Sequence, residues 1–158
     1  STSPEYMPCK LYHYSAAIVR RDYPLARRLL HALAQPRGAE AVQFADAMST
    51  VLEAGPGGSA ETDAVAARLA ELPDGYFDDR VLTPLGASDM VVWFIAVGRN
   101  DLAVQRIERM AETLPQLARW SMVDFHADPL RCEPGFRALA QRLGFEDKRA
   151  ATQCDKGK

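Results

Sequence analysis

The chain reads as all-α, a stack of antiparallel helical hairpins, about three units, finished by a C-terminal capping helix. Three observations predict this. Apolar residues recur at three- and four-residue intervals along nearly every segment, sustained strand-like alternation is absent, and Gly- and Pro-rich breaks divide the chain into helix-sized pieces. With 158 residues, 47% hydrophobic and 25% charged, there is material for one core of ordinary size. That excludes disordered, collagen-like and disulfide-scaffold classes. The expected organisation is a single domain over residues 1–150 with a disordered tail at 151–158.

The elements follow in order. Asp22 is placed to cap a helix that runs to Ala34, with Pro24 in the first turn and Ala26, Leu29, Leu30 and Leu33 on one face. Ala39 to Ala54 carries Val42, Phe44, Ala45, Met48, Val51 and Leu52 on a broad stripe, and Gly55-Pro56-Gly57-Gly58 stops it. Ser59 caps the next helix, carried by Ala60, Ala64, Val65, Ala67 and Leu69 and ended by Pro73-Asp74-Gly75. A polar connection, Tyr76 to Pro84, leads to a helix from about Ser88 through Val97, then Gly98 to Asn100, then a helix from Asp101 to Leu114 ended by Pro115. The longest greasy run, Met90 to Val97, falls far short of the ~18 residues needed to cross a bilayer.

An internal repeat organises these pieces. With Ala26, Ala60 and Ala103 aligned near the start of each second helix, the spacings are 34 and 43 residues. The third unit then has Phe94 on its first helix, Gly98 at the turn, Ala103, Ile107 and Met110 down the second helix and Pro115 at its close. The second has Gly55, Ala60, Ala64 and Ala67, while the first keeps Tyr23, Ala26, Leu30 and Leu33 but has Arg21 at the turn where glycine is expected. In this register the chain resembles the tetratricopeptide repeat. Small residues let antiparallel helices approach to about 8 to 10 Å, and stacked hairpins bury the faces that each alone leaves open.

The segment Trp120 to Phe145 strengthens the resemblance. Asp128-Pro129-Leu130-Arg131, then Glu133-Pro134, Phe136, Leu139, Arg142, Leu143 and Gly144, is similar to the closing segment of tetratricopeptide-containing bacterial signalling proteins. In that family such repeats accompany a winged-helix DNA-binding or cyclase-like module. The resemblance implies the sensory or interaction part of a bacterial regulator in signalling or transcription regulation. Physically, Glu133 and Pro134 open a helix, Phe136, Leu139 and Leu143 form its stripe, and Gly144 ends it. The chain opens at Ser1 without Met and is expected to be a piece of a longer protein.

In a tetratricopeptide stack the first helices line a groove. The register assigns to it Leu11, Ser15, Ile18 and Val19, then Val42, Ala45, Ser49, Leu52 and Glu53, then Leu85, Ser88, Val92, Ile95 and Ala96. Leu11, Ser15, Ile18, Ser49, Leu52, Ser88 and Val92 are the candidate binding residues. This apolar surface lacks the Lys, Arg and Asn by which family members hold chaperone tails. Either it opens to a protein segment or small apolar ligand, or the hairpins curl tightly enough to bury it as core.

Nineteen Lys plus Arg against 21 Asp plus Glu give net charge −2, with no cation excess for phosphates, so nucleic acid is not an expected direct partner. Charge is nevertheless uneven: residues 1–37 hold six cations against two acids, 38–90 two against ten and 91–158 eleven against nine. Arg20, Arg21, Arg27 and Arg28 form the densest basic cluster, read as a solvated face or an anion- or partner-docking site. Cys9, Cys132 and Cys154 are an odd set without a CxxC pair, so reduced thiols in a cytoplasm are expected, with the periplasm as the alternative for an anchored parent protein. No membrane partner and no cofactor are expected.

Asp124, His126 and Asp128 are the only metal-ligand cluster, and Cys9 and His13 are one helical turn apart without a third orienting group. Gly55 to Gly58 lacks the Lys and Ser/Thr of a phosphate loop. The expectation is a non-enzymatic protein- or ligand-binding module. The alternatives are a self-associating scaffold pairing through the groove, and a metal-dependent hydrolase at Asp124, His126 and Asp128.

Overall fold

The computed structural model of the chain describes residues 7–75, 78, 80–145 and 154. Regular structure among these is entirely helical: α1 (Met7–Val19), α2 (Tyr23–Ala34), α3 (Ala39–Ala54), α4 (Ala60–Glu71), α5 (Ala87–Ala96), α6 (Asn100–Thr113), α7 (Pro115–Val123) and α8 (Pro134–Arg142), with short 3₁₀ segments at Gln35–Arg37 and Phe125–Leu130. The all-α class is therefore correct.

Local chemistry explains the helix starts. Asp22 Oδ1 accepts the Leu25 amide at 3.1 Å, and Ser59 Oγ accepts the Thr62 amide at 3.0 Å, each satisfying a donor that its helix leaves open. Pro115 and Pro134 occupy first-turn positions, where a missing N–H costs nothing. Pro115 thus opens α7 directly after Leu114, a helix that the repeat register did not include.

The packing order departs from an open stack. α1 lies on α2, α2 on α3, α3 on α4, α4 on α6, α6 on α5 and α5 back on α1, so the first six helices close a ring. In a linear array the first and third hairpins would be kept apart. Here Ser15 on α1 donates to Asp89 on α5 at 2.6 Å, and across the ring the fully buried Trp93 donates its indole N–H to the Met48 carbonyl at 3.4 Å. Tyr14, Phe94, Leu30, Leu52 and Leu69 fill the interior with them.

The three aligned alanines do not share one environment. Ala26 and Ala103 are buried, whereas Ala60, Ala64 and Ala67 are exposed. The buried face of α4 is instead Thr62, Val65, Ala66, Leu69 and Ala70. Val65 and Leu69 carry most of the apolar area at an i, i+4 spacing, and exposing alanines forfeits little.

The elements of the closing segment each pack on α6. Phe136 and Leu139 of α8 are buried, with α8 on α6, and Arg131, 1% exposed, donates to Asp128 at 2.6 Å within the Asp-Pro-Leu-Arg turn. Cys132 is joined to Cys154 by a disulfide, while Cys9 is free and exposed. The expectation of three reduced thiols is corrected. Two cysteines 22 residues apart have no local signature of pairing, because the bond depends on where the chain returns. Cys154 also falls within the expected tail, whose other residues lie outside the described ones.

Candidate functional site

A recess among the described residues has the size of a ligand site, about 580 Å³, within the ~300 to 1,000 Å³ typical of small-molecule pockets. It opens where the C-terminal turn of α1 meets the C-terminal half of α5. Ile18 and Val19 form one wall, Val92, Ile95 and Ala96 another; Gly55-Pro56 and the pair His126 and Pro129 complete it, with Arg21 and Tyr23 at the α1–α2 turn.

Backbone geometry builds this corner. Gly98 takes φ +79 at the end of α5, a conformation that disfavours any residue with a Cβ, and a Cβ there would meet Pro56 Cβ at 3.1 Å. The glycine therefore lets the α5–α6 turn seat against the Gly55-Pro56 loop. Gly55 and Arg21, at the matching positions of the other two hairpin turns, have φ +77 and +58. All three hairpin turns thus take left-handed φ, although one of them carries arginine.

The expected groove residues divide. Leu11, Ser15, Ile18, Ser49, Leu52 and Val92 are buried, and Ser88 is half-buried with its hydroxyl 3.3 Å from that of Ser121. Ser15 is committed to Asp89 and Ser49 to the Ala45 carbonyl at 2.8 Å. Of the seven candidates, Ile18 and Val92 line the recess; the other five are not brought to it. Ring closure is the reason: α1 against α5 covers the middle of the presumed groove and leaves only its end open. Val19, Ile95 and Ala96, from the wider groove register, join them there.

Arg21, Tyr23, Gly55, Pro56, His126 and Pro129 are the lining residues that groove reasoning missed. Arg21 carried a signal, as the one turn position where the repeat pattern departs from glycine.

The metal-ligand cluster does not converge. His126 Nδ1 lies 3.2 Å from Asp124 Oδ1, while Asp128 engages Arg131. Among the described residues no group of three His, Cys, Asp or Glu side chains is arranged to hold a metal.

Two buried polar groups flank the ring's closing seam. Asp89 accepts Ser15 on Oδ1 and the Gly86 amide on Oδ2 at 3.2 Å, and burial raises its carboxyl to about 6 despite those bonds. Beside it, burial and the Asp89 charge push the Tyr14 phenol far up. Arg106, buried on α6, donates to the carbonyls of Leu69, Ala70 and Leu72 at 3.0 to 3.1 Å, closing the C-terminal end of α4.

Among the described residues the fold is an all-helical bundle with an apolar corner cavity. No family model, curated protein or solved structure matches the chain. Among the described residues no helix is long and apolar enough to cross a membrane.

Proposed function

We propose that the chain is a non-enzymatic binding module, a curled tetratricopeptide-like array serving as the sensory or interaction part of a bacterial regulator, and that its ligand enters the corner recess. The observation that carries this reading is the recess itself: about 580 Å³, walled chiefly by apolar side chains from two helices that are far apart in sequence. A ligand there bridges the first and third hairpins, so its differential affinity for open and closed arrangements would be passed to an attached effector. Left-handed φ at residues 21, 55 and 98 supports a repeated hairpin unit. The Cys132–Cys154 bond favours the periplasmic alternative, because disulfides persist in oxidising compartments.

The test is titration with a neutral apolar dye such as Nile red. The wild type should show saturable single-site binding, and Ala96→Trp, which places a large side chain in the recess, should abolish it while leaving the far-ultraviolet circular dichroism unchanged. Equal binding by both proteins, or none by the wild type, removes the reading.

Self-association remains a second reading, moved from the groove to α7. Trp120 is 70% exposed, and Val123, three residues on along α7, is also exposed, an apolar strip that a second copy could cover.

A further inference from the structure

We infer that the recess takes an anionic amphiphile, a single-chain carboxylate whose tail enters between α1 and α5 and whose head group is met by Arg21. This rests on the recess being a ligand site and adds the chemical class of the ligand.

The backbone at Arg21 carries the inference. α1, α5 and α8 end in the same motif: the residue at the turn bonds three residues back, and the next amide reaches five residues back. The pairs are Arg21 to Ile18 and Asp22 to Ala17, Gly98 to Ile95 and Arg99 to Phe94, and Gly144 to Gln141 and Phe145 to Ala140, all at 2.8 to 3.1 Å. This motif requires left-handed φ at the turn residue, which glycine adopts freely and a residue with a Cβ adopts at a cost. Gly98 and Gly144 meet the requirement; Arg21, at φ +58, is the only non-glycine described residue with positive φ. Backbone strain of this kind concentrates where a side chain is needed for function.

The side chain it retains stands at the recess. Arg21 is exposed, lines the cavity and makes no side-chain hydrogen bond or ion pair among the described residues. Among the described residues no carboxylate lines the cavity with it. Asp22, the adjacent acid, accepts the Leu25 amide as the cap of α2, and Asp124 pairs with His126 at 3.2 Å. The lining is thus an apolar interior with a cation at its edge, complementary to a fatty tail and a carboxylate. A compact recess of this volume suits a small amphiphile rather than an extended peptide.

The experiment compares decanoate with 1-decanol, both kept below the concentration at which they aggregate, on wild type and Arg21→Gly by isothermal titration. Decanoate should bind the wild type about tenfold more tightly than decanol, the scale of one charge-assisted hydrogen bond. Arg21→Gly should lose that advantage, leave decanol affinity unchanged and unfold at a urea midpoint no lower than the wild type. Arg21→Lys should keep most of the preference. If both ligands bind alike and Arg21→Gly changes neither, the recess stands as a ligand site and the anionic class is overturned. If neither binds, the recess reading falls as well. Retention on phosphatidylglycerol vesicles without decanoate binding would assign the cation to a membrane surface and overturn the proposal. A lowered midpoint in Arg21→Gly would remove the strain argument.

Discussion

Asp89 ties α5 to α1 from a position that resists its charge. Its two oxygens accept from Ser15 and Gly86, yet burial lifts the carboxyl to about 6 and the nearby Asp74 adds to the rise. In the unfolded chain an aspartate titrates near about 4. The folded state therefore holds this proton more tightly. Its contribution to stability is complete below about pH 4, is lost between about pH 4 and pH 6, and is absent above that, where the buried charge is carried at full cost. At about 1.4 kcal/mol per tenfold change in proton affinity, the interval amounts to about 3 kcal/mol. Asp89→Asn is neutral at every pH, and its amide can accept from Gly86 while donating to the Ser15 oxygen. Urea unfolding should place the two proteins within about 1 kcal/mol of each other at pH 4, with the variant more stable by about 2 to 3 kcal/mol at pH 8. The difference between the two curves isolates this residue from every other titrating group. A difference that does not change with pH, or a variant less stable at pH 8, would refute a charged and poorly solvated Asp89.

Other perturbations test the remaining supports. Arg106→Met should cost about 1 to 3 kcal/mol in urea unfolding, because it takes the donor from the Leu72 carbonyl and one of two donors from the carbonyls of Leu69 and Ala70, which keep the Leu72 amide and Arg109; Arg106→Lys should recover only part, having one donor head in place of a planar fork. Cys154→Ser, or reduction, should lower stability by about 3 kcal/mol, the loop-closure value for 22 residues, and mass spectrometry of a non-reduced digest should recover Cys132 linked to Cys154. Trp120→Ser should leave the unfolding midpoint within about 0.5 kcal/mol of wild type, and should abolish any concentration-dependent sedimentation if α7 is the self-association surface.

What could be read without coordinates divides along physical lines. Asp22 and Ser59 were legible as caps because each bond spans three residues, and the bounds of α3 were legible because Gly38 and Gly55 bracket an unbroken apolar stripe. Pro115 misled because one residue serves two roles: it ends a helix before it and pre-shapes a helix after it, and only the second yields α7. Ala60 misled because alanine is at home both inside and outside, so a register hung on alanines is weakly determined, whereas Val65 and Leu69 would have set it. The closing of the ring could not be read at all. It depends on Ser15 meeting Asp89, 74 residues away, and no local pattern distinguishes two hairpins that stack in a line from two that curl until the first touches the third. The same contact decided the site: once α1 covers the middle of α5, Ser15 becomes an internal tie, and the Ile18 and Val92 end stays open. Arg21 sits between these cases. Its identity was a visible exception in the sequence, but an arginine for a glycine means nothing until the backbone angle shows that the turn kept glycine's shape. An exception that keeps glycine's backbone shape turns attention to what its side chain lines, and Arg21 lines the recess.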